Sequence, residues 1–389
     1  MDSLQAMKTR STPFLVALFT VAQLSGVIAD EALKTEIEAT LAKGAAWLES
    51  KQNESGSWGD ETYPALTAMP LSALMRNSGL ESNAKLPENL AKGYDFILSK
   101  QHRNGAIYGK GLATYNTALS LMSLTHVANQ PGIEEAIRQA RRFLINQQAD
   151  EDVRGELDSP FDGGIGYGGS HPHSDLSNTH LAMEALYYSK QVLADRPGGV
   201  GLDLDWNAAI HFVSRCQNLE GSNDLDYIAV ADQDRGGFVY FPGDSKAGEV
   251  EEHSTKTKVA LRSYGSMSYA GLLSFIYADM DPNDKRITAV KKWLGRNYTL
   301  EENPHMGAQG QFYYYHTMAK ALSLAGIDEL SLADGGKANW KQELAKKLIA
   351  FQKADGSWIN DGSSRWWEDD PILVTSYAML SLKHVLQAL

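Results

Sequence analysis

The sequence predicts an all-α protein, an (α/α)6 toroid in which helical hairpins close into a double ring around a hollow. Three observations carry that expectation. A two-helix unit recurs along the chain, the second helix of each unit is far more apolar than the first, and strand signals are thin. Self-similarity at a fixed period marks repeat architectures, whose units bury their apolar faces only by stacking on neighbours.

The first unit reads Lys43-Gly44-Ala45-Ala46-Trp47-Leu48, then Gln52, then Gly56-Ser57-Trp58. The same order returns near the C-terminus as Lys347-Leu348-Ile349-Ala350-Phe351-Gln352, then Asp355-Gly356-Ser357-Trp358. A third copy runs from Lys92-Gly93-Tyr94 through Gln101 to Asn104-Gly105. Weaker copies place Phe143-Leu144 before Gln148, Phe212-Val213 before Gln217, and Trp293-Leu294 before Tyr298. Insertions ahead of Gly163-Gly164 and Gly236-Gly237-Phe238 stretch the period from roughly 50 residues to about 80.

A second helix follows each glycine-rich turn. Its starts are Tyr63-Pro64-Ala65, Tyr115-Asn116-Thr117, Ser177-Asn178-Thr179, Tyr264-Gly265-Ser266, Tyr315-His316-Thr317 and Val374-Thr375-Ser376. Ser, Thr and Asn suit helix beginnings, where free backbone N–H groups need acceptors. The Ala, Leu and Met that follow suit a helix packed on all sides. Apolar helices on that scale need a surrounding shell, which favours an inner barrel within an outer ring over an open solenoid. The one short strand signal, Val239-Tyr240-Phe241, lies between Gly237 and Pro242.

Residues 1–29 read as a signal peptide. Lys8 and Arg10 precede the apolar run from Phe14 to Phe19, and Val27-Ile28-Ala29 offers a small-residue cleavage site before Asp30. The expected organisation is therefore a leader over 1–29 and one toroid of about six hairpins over 30–389. The chain is exported on this reading, to the periplasm or beyond, and no cysteine near the cleavage site provides for a lipid anchor. Of 389 residues, 43% are hydrophobic and 22% charged, which is globular. The formal net charge of -12 and the lack of a basic run argue against nucleic acid as a partner. Peripheral membrane contact stays open, and the sequence does not fix an oligomeric state. The lone cysteine, Cys216, follows a helical pattern and reads as a small buried apolar residue.

The first and last units resemble the QW motif of squalene-hopene cyclases and related triterpene cyclases. Repeats from about Leu41 to Leu389 extend the resemblance to the terpenoid cyclase and protein prenyltransferase toroids, and to exported bacterial prenyltransferase/squalene-oxidase-repeat proteins. The resemblance implies that Gln52, Trp58, Gln352 and Trp358 are structural staples. It also implies an isomerase- or transferase-like enzyme acting on an isoprenoid. The family's Asp-x-Asp-Asp acid is absent. Trp367-Glu368-Asp369-Asp370 keeps the acidic pair with Trp in the first place. The prenyltransferase zinc site is not expected either. His316 matches its histidine, but Tyr264 and Ser266 stand where Asp and Cys belong. No metal or cofactor is expected, although His171, His173 and Asp175 form a short metal-like cluster for which capping by Asp175 is the plainer role.

The candidate catalytic residues are Asp370 or Asp369 as acid, with His316 or Tyr264 orienting it. The candidate substrate-binding residues at one mouth of the ring are Tyr115, Asn116, His173, Asp175, Asn178 and Arg262, together with Ser266, Tyr315, Trp366 and Trp367. Helix N-termini meeting there favour anions, and aromatic rings stabilise carbocations. Two other readings remain open. One is a glycan-processing enzyme, with Tyr264 or Tyr315 and His316 moving a proton while Arg262 and Asn178 neutralise a uronate. The other is a noncatalytic toroid that binds a ligand. The expected partner is accordingly a small isoprenoid or saccharide ligand.

Overall fold

The computed structural model describes residues 14–81, 83–168, 171–226, 228–250 and 260–389, with side chains from residue 30 onward except those of 171 and 172. The leader expected over 1–29 lies outside the described side chains. Among the described residues, twelve helices follow one another as hairpins: α1 (Phe14–Ser50), α2 (Ala65–Ser78), α3 (Glu88–Ser99), α4 (Ala113–Thr125), α5 (Ile133–Ile145), α6 (Leu176–Leu193), α7 (Trp206–Arg215), α8 (Gly265–Tyr277), α9 (Lys285–Arg296), α10 (Gln311–Leu324), α11 (Trp340–Phe351) and α12 (Pro371–Ala388). The even-numbered helices pack each on the next, and α12 returns to α2, so the inner ring is closed. The odd-numbered helices lie outside them. Among the described residues, strand is confined to three two-stranded antiparallel ribbons in the connections. No helix among the described residues is long and apolar enough to cross a membrane.

Burial separates the two rings as the composition requires. Every residue of α2 from Ala65 to Met75 is buried, whereas α3 buries only Leu90, Gly93, Tyr94, Phe96 and Ile97. An inner helix touches neighbours on both sides and an outer helix behind, so it has no solvent face.

The repeated glutamines join one hairpin to the next. Gln52 donates to Gly56 O in its own turn and to Asn89 O at the start of α3. Gln101 reaches Gly105 O and Ala136 O, Gln148 reaches Gly163 O and Asp205 O, and Gln217 reaches Gly236 O and Arg286 O. The last, Gln352, donates to Gly356 O and to Thr40 O of α1, which sews the end of the ring to its beginning. Tyr298 takes the sixth place, and its hydroxyl reaches Glu343 of α11. A hydroxyl inside five of the six inner helices adds a second tie. Thr67, Thr117, Thr179, Ser268 and Thr375 accept from the backbone N–H of Trp58, Ile107, Ile165, Phe238 and Trp358. The indoles of Trp58 and Trp358 donate to Leu48 O and Leu348 O at the ends of the outer helices.

The turn glycine is dictated by space as well as by torsion. Gly356 sits at φ +96°, and a Cβ there would lie 2.6 Å from Lys43 O. Gly356→Ala therefore combines left-handed strain with a backbone clash at the ring closure. We expect a loss of about 2–4 kcal/mol in urea unfolding. Gln352→Ala, which only removes two hydrogen bonds, should cost about 1–3 kcal/mol.

Candidate functional site

The hollow of the inner ring is two adjoining chambers on one axis. The smaller, about 210 Å³, lies at the end where the inner helices begin. The larger, about 420 Å³, runs toward the ends of α2, α4, α6, α10 and α12. Tyr115, Tyr313 and Tyr377 are walls of both, so a single layer of rings divides them. The Tyr313 and Tyr377 rings stand 5.9 Å apart.

The smaller chamber is aromatic. Tyr167, Tyr240, Tyr264, Trp366 and Trp367 join the three dividing tyrosines, with Leu112, Met267, Ser177 and Ser266 between them. Among its described lining residues the one carboxylate is Glu368, 1% exposed. The Glu368 carboxylate accepts from the Tyr313 N–H and from Asn360 Nδ2, so it supplies the acceptor that Gly310, the residue before α10, lacks. Burial raises the pKa of this carboxyl above the ordinary glutamate value, against the pull of those donors. Trp366 and Trp367, 44% and 37% exposed, form the rim at φ 58° and 63°. Such torsions are strained for aromatic residues and set both indoles across the opening. Tyr63 meets Trp367 edge to face at 4.7 Å.

The larger chamber gathers charge. Its polar wall is Arg76 from α2, His126 beyond α4, His180, Glu184 and Tyr188 from α6, His316 and Lys320 from α10, and His384 from α12. Its apolar wall includes Met69, Leu119, Met122, Leu181 and Leu380. Lys320 pairs with Glu184 at 2.7 Å, and His180 Nε2 lies 3.7 Å from the same carboxylate. Burial holds the imidazoles of His180, His316 and His384 far below their ordinary range, and that of His126 at about 4. The nearby cations Lys320 and Arg76 push the same way. These histidines are therefore neutral near pH 7. The Nδ1 atoms of His180, His316 and His384 have no hydrogen-bond partner among the described residues.

The expected site residues divide among three places. Tyr264, Ser266, Tyr115, Trp366 and Trp367 line the smaller chamber, and His316 lines the larger. Asp175, Asn178 and Asn116 stand behind the walls. Asp175 caps α6 through the Asn178 N–H and holds the Asn178 amide, with burial raising its pKa to about 6. Asn116 accepts from the Ala65 N–H and so steadies the start of α2. The remaining residues lie away from both chambers. Asp370 is the N-cap of α12, accepting from the Ile372 N–H, and Asp369 is exposed. Neither Asp369 nor Asp370 is among the described lining residues of the two chambers, and the carboxylate that lines the smaller one is their neighbour Glu368. Tyr315 faces the outer ring and donates to Leu300 O at 2.5 Å. His173 stacks on Phe161 at 4.7 Å outside the barrel, and the His171 side chain lies outside the described residues. Arg262 lines neither chamber. Among the described residues, no group of three or more His, Cys, Asp or Glu side chains is placed to hold a metal ion.

Arg76, His126, His180, Glu184, Lys320, His384 and Glu368 were not among the expected residues. Most carry a visible sequence signal. His180, Glu184 and Tyr188 recur every four residues, as do His316 and Lys320, on helices otherwise apolar all round. That spacing puts them on one face, and a polar face inside a fully buried helix needs a reason.

No protein-family model matches the sequence, and no curated protein does. The solved structures it is similar to are α/α toroids. The apo type II terpene cyclase MstE from Scytonema aligns at 12% identity over 92% of this chain and 99% of that one, with a TM-score of 0.54. A variant of the same cyclase, in complex with geranylgeranyl dihydroxybenzoate, aligns at 13% identity over 92% and 100%, with a TM-score of 0.53. The GH76A alpha-1,6-mannanase from Salegentibacter sp. HEL1_6 aligns at 11% identity over 90% and 99%, with a TM-score of 0.55. The chain has the α/α-toroid fold that these proteins share.

Proposed function

We propose that this toroid is an exported enzyme of the terpenoid cyclase kind, acting on an isoprenoid-type substrate inside the inner ring. The observation that carries the reading is the smaller chamber, where eight aromatic side chains surround one carboxyl group whose pKa burial raises. Aromatic faces attract positive charge most strongly where water is excluded. In this scheme Glu368 donates its proton to a terminal alkene carbon. The alkene electron pair forms the new C–H bond, and the charge left on the neighbouring carbon is attacked by the next double bond. The closing step returns a proton to the Glu368 carboxylate, so the product is an isomer of the substrate. Tyr264, Tyr313 and Tyr377 face the intermediate charge, while Arg76 and Lys320 stay in the other chamber. The likeness of the fold to a terpene cyclase supports this reading only at the level of fold.

Incubation with farnesoic or geranylgeranoic acid should yield cyclised products of unchanged mass. Glu368→Gln, which keeps an acceptor for the Tyr313 N–H, should lower turnover by about 100-fold or more while remaining folded. Folded wild-type protein that leaves both acids unchanged removes the reading.

One observation favours a saccharide instead: the exposed indoles of Trp366 and Trp367 form a platform at the rim. Against hydrolysis, each chamber has a single carboxylate among its described lining residues, whereas glycosidases work with a pair about 5–10 Å apart.

A further inference from the structure

The larger chamber holds a cation, Arg76, that among the described residues no carboxylate meets at ion-pair distance, although Glu184 acts on it from farther off. Arg76 lies in the last turn of α2, and its guanidinium meets His384 Nε2 at 3.0 Å and Gln387 Oε1 at 2.8 Å. Both partners are neutral. The one carboxylate lining this chamber, Glu184, is already bonded to Lys320. Among the described residues no acid lies within ion-pair distance of Arg76. The chamber therefore has two fixed cations against one fixed anion. Arg76 is half-buried, and a partly desolvated charge without a counter-charge in contact is costly, so it either lies near water or awaits a partner. The end of α2 answers part of the charge through its own carbonyls, but Arg76 turns across to α12 for its side-chain partners.

The histidine beside it sharpens the case. A guanidinium only donates, so His384 Nε2 must be the acceptor and the ring proton is on Nδ1. That N–H donor is buried and has no hydrogen-bond partner among the described residues, and His316 Nδ1 has none there either. His384 is 3% exposed and His316 6%, and both line the chamber with Arg76. Donors and positive charge gathered in a space of about 420 Å³ suit an oxyanion, and the apolar wall of Met69, Leu119, Met122 and Leu380 suits a hydrocarbon attached to it.

We propose that Arg76, with His384 and Lys320 beside it, binds the carboxylate or phosphate head of an amphiphilic ligand in the larger chamber. The head lies at the end of the barrel away from Glu368, and the hydrocarbon runs toward the tyrosine layer. This names the substrate class of the cyclase reading, but it rests only on the barrel being a ligand chamber. It survives if no cyclisation is found.

The test is binding, measured by calorimetry with farnesoic acid, farnesyl phosphate, uncharged farnesol and inorganic phosphate. The wild-type protein should bind the two charged amphiphiles at least tenfold more tightly than farnesol. Arg76→Gln should erase that preference, and Arg76→Lys should restore part of it. Competition by inorganic phosphate at millimolar concentration identifies the head group as the recognised part. Equal affinity for farnesoic acid and farnesol, binding of phosphate alone with none of the amphiphiles, or an unchanged preference in Arg76→Gln overturns the proposal. The wild-type comparison stands even if the variants fail to fold. Loss of turnover with the charge preference intact would count against the cyclase reading alone.

Discussion

Between about pH 7 and pH 5 the protein is expected to lose stability steeply, because its inner ring keeps four imidazoles neutral. An unfolded histidine takes up a proton below about pH 6.5. His126 is held at about 4 by burial and by Arg76, so the folded chain leaves it unprotonated through that interval. The unfolded state then binds the extra proton, and stability falls as pH falls. For His126 alone the loss at about pH 5 is roughly 2 kcal/mol. His180, His316 and His384 are displaced in the same direction and add to it. Asp175 acts oppositely. Its pKa of about 6 lets the folded state gain a proton first, which recovers about 1.4 kcal/mol over the same interval. The four imidazoles outweigh it, on a total stability of about 5–15 kcal/mol. Thermal melts across this range should show a falling midpoint, and His126→Leu should make the slope shallower. A midpoint that holds or rises toward pH 5 contradicts the account of the chamber as a place where protons are excluded.

Breaking the Lys320–Glu184 pair should be the most damaging single change in the barrel. The two side chains lie 2.7 Å apart and are 4% and 1% exposed. Removing either leaves the other as an uncompensated buried charge, at a cost of about 3–5 kcal/mol. Lys320→Met leaves the buried Glu184 carboxylate without its contact partner, with neutral His180, Tyr188 and the more distant Arg76 as its polar neighbours. Glu184→Leu leaves Lys320 beside Arg76, so two cations face each other. The double variant removes both charges and should recover most of the loss, since a buried ion pair contributes little over an apolar pair of like volume. Urea unfolding of the four proteins gives the coupling directly. Additive losses would mean that the pair is solvated and that the chamber is wetter than the burial of these residues implies.

Much of the architecture is legible in the chain because the repeat is written in residues with narrow roles. Gln52, Gln101, Gln148, Gln217 and Gln352 each make the same pair of bonds, and the turn glycines sit where a side chain would strike the neighbouring outer helix. The smaller chamber was partly legible for the same reason, since residues at helix beginnings are marked by sequence order. Tyr115, Tyr264, Ser266, Trp366 and Trp367 could be placed at the mouth from that order alone. Asp369 and Asp370 show the limit of this logic. Which of three adjacent acids lines the hollow depends on the local backbone path, and of the three only Glu368 is among the described lining residues. The larger chamber was missed because attention to helix beginnings passes over later turns. Arg76, Glu184, Lys320 and His384 lie two to four turns along their helices, and each looks like an isolated polar residue until the ring is closed. Only the closure brings α2, α6, α10 and α12 to one space.

A crystal structure of the protein soaked with farnesoic acid tests the central claim most directly. The account predicts a single ligand in the hollow of the inner ring, with its carboxylate at Arg76 and His384 and its chain running toward Tyr115, Tyr313 and Tyr377. An inner ring that holds no ligand at saturating concentration, or a ligand bound on the outside between outer helices, would contradict it.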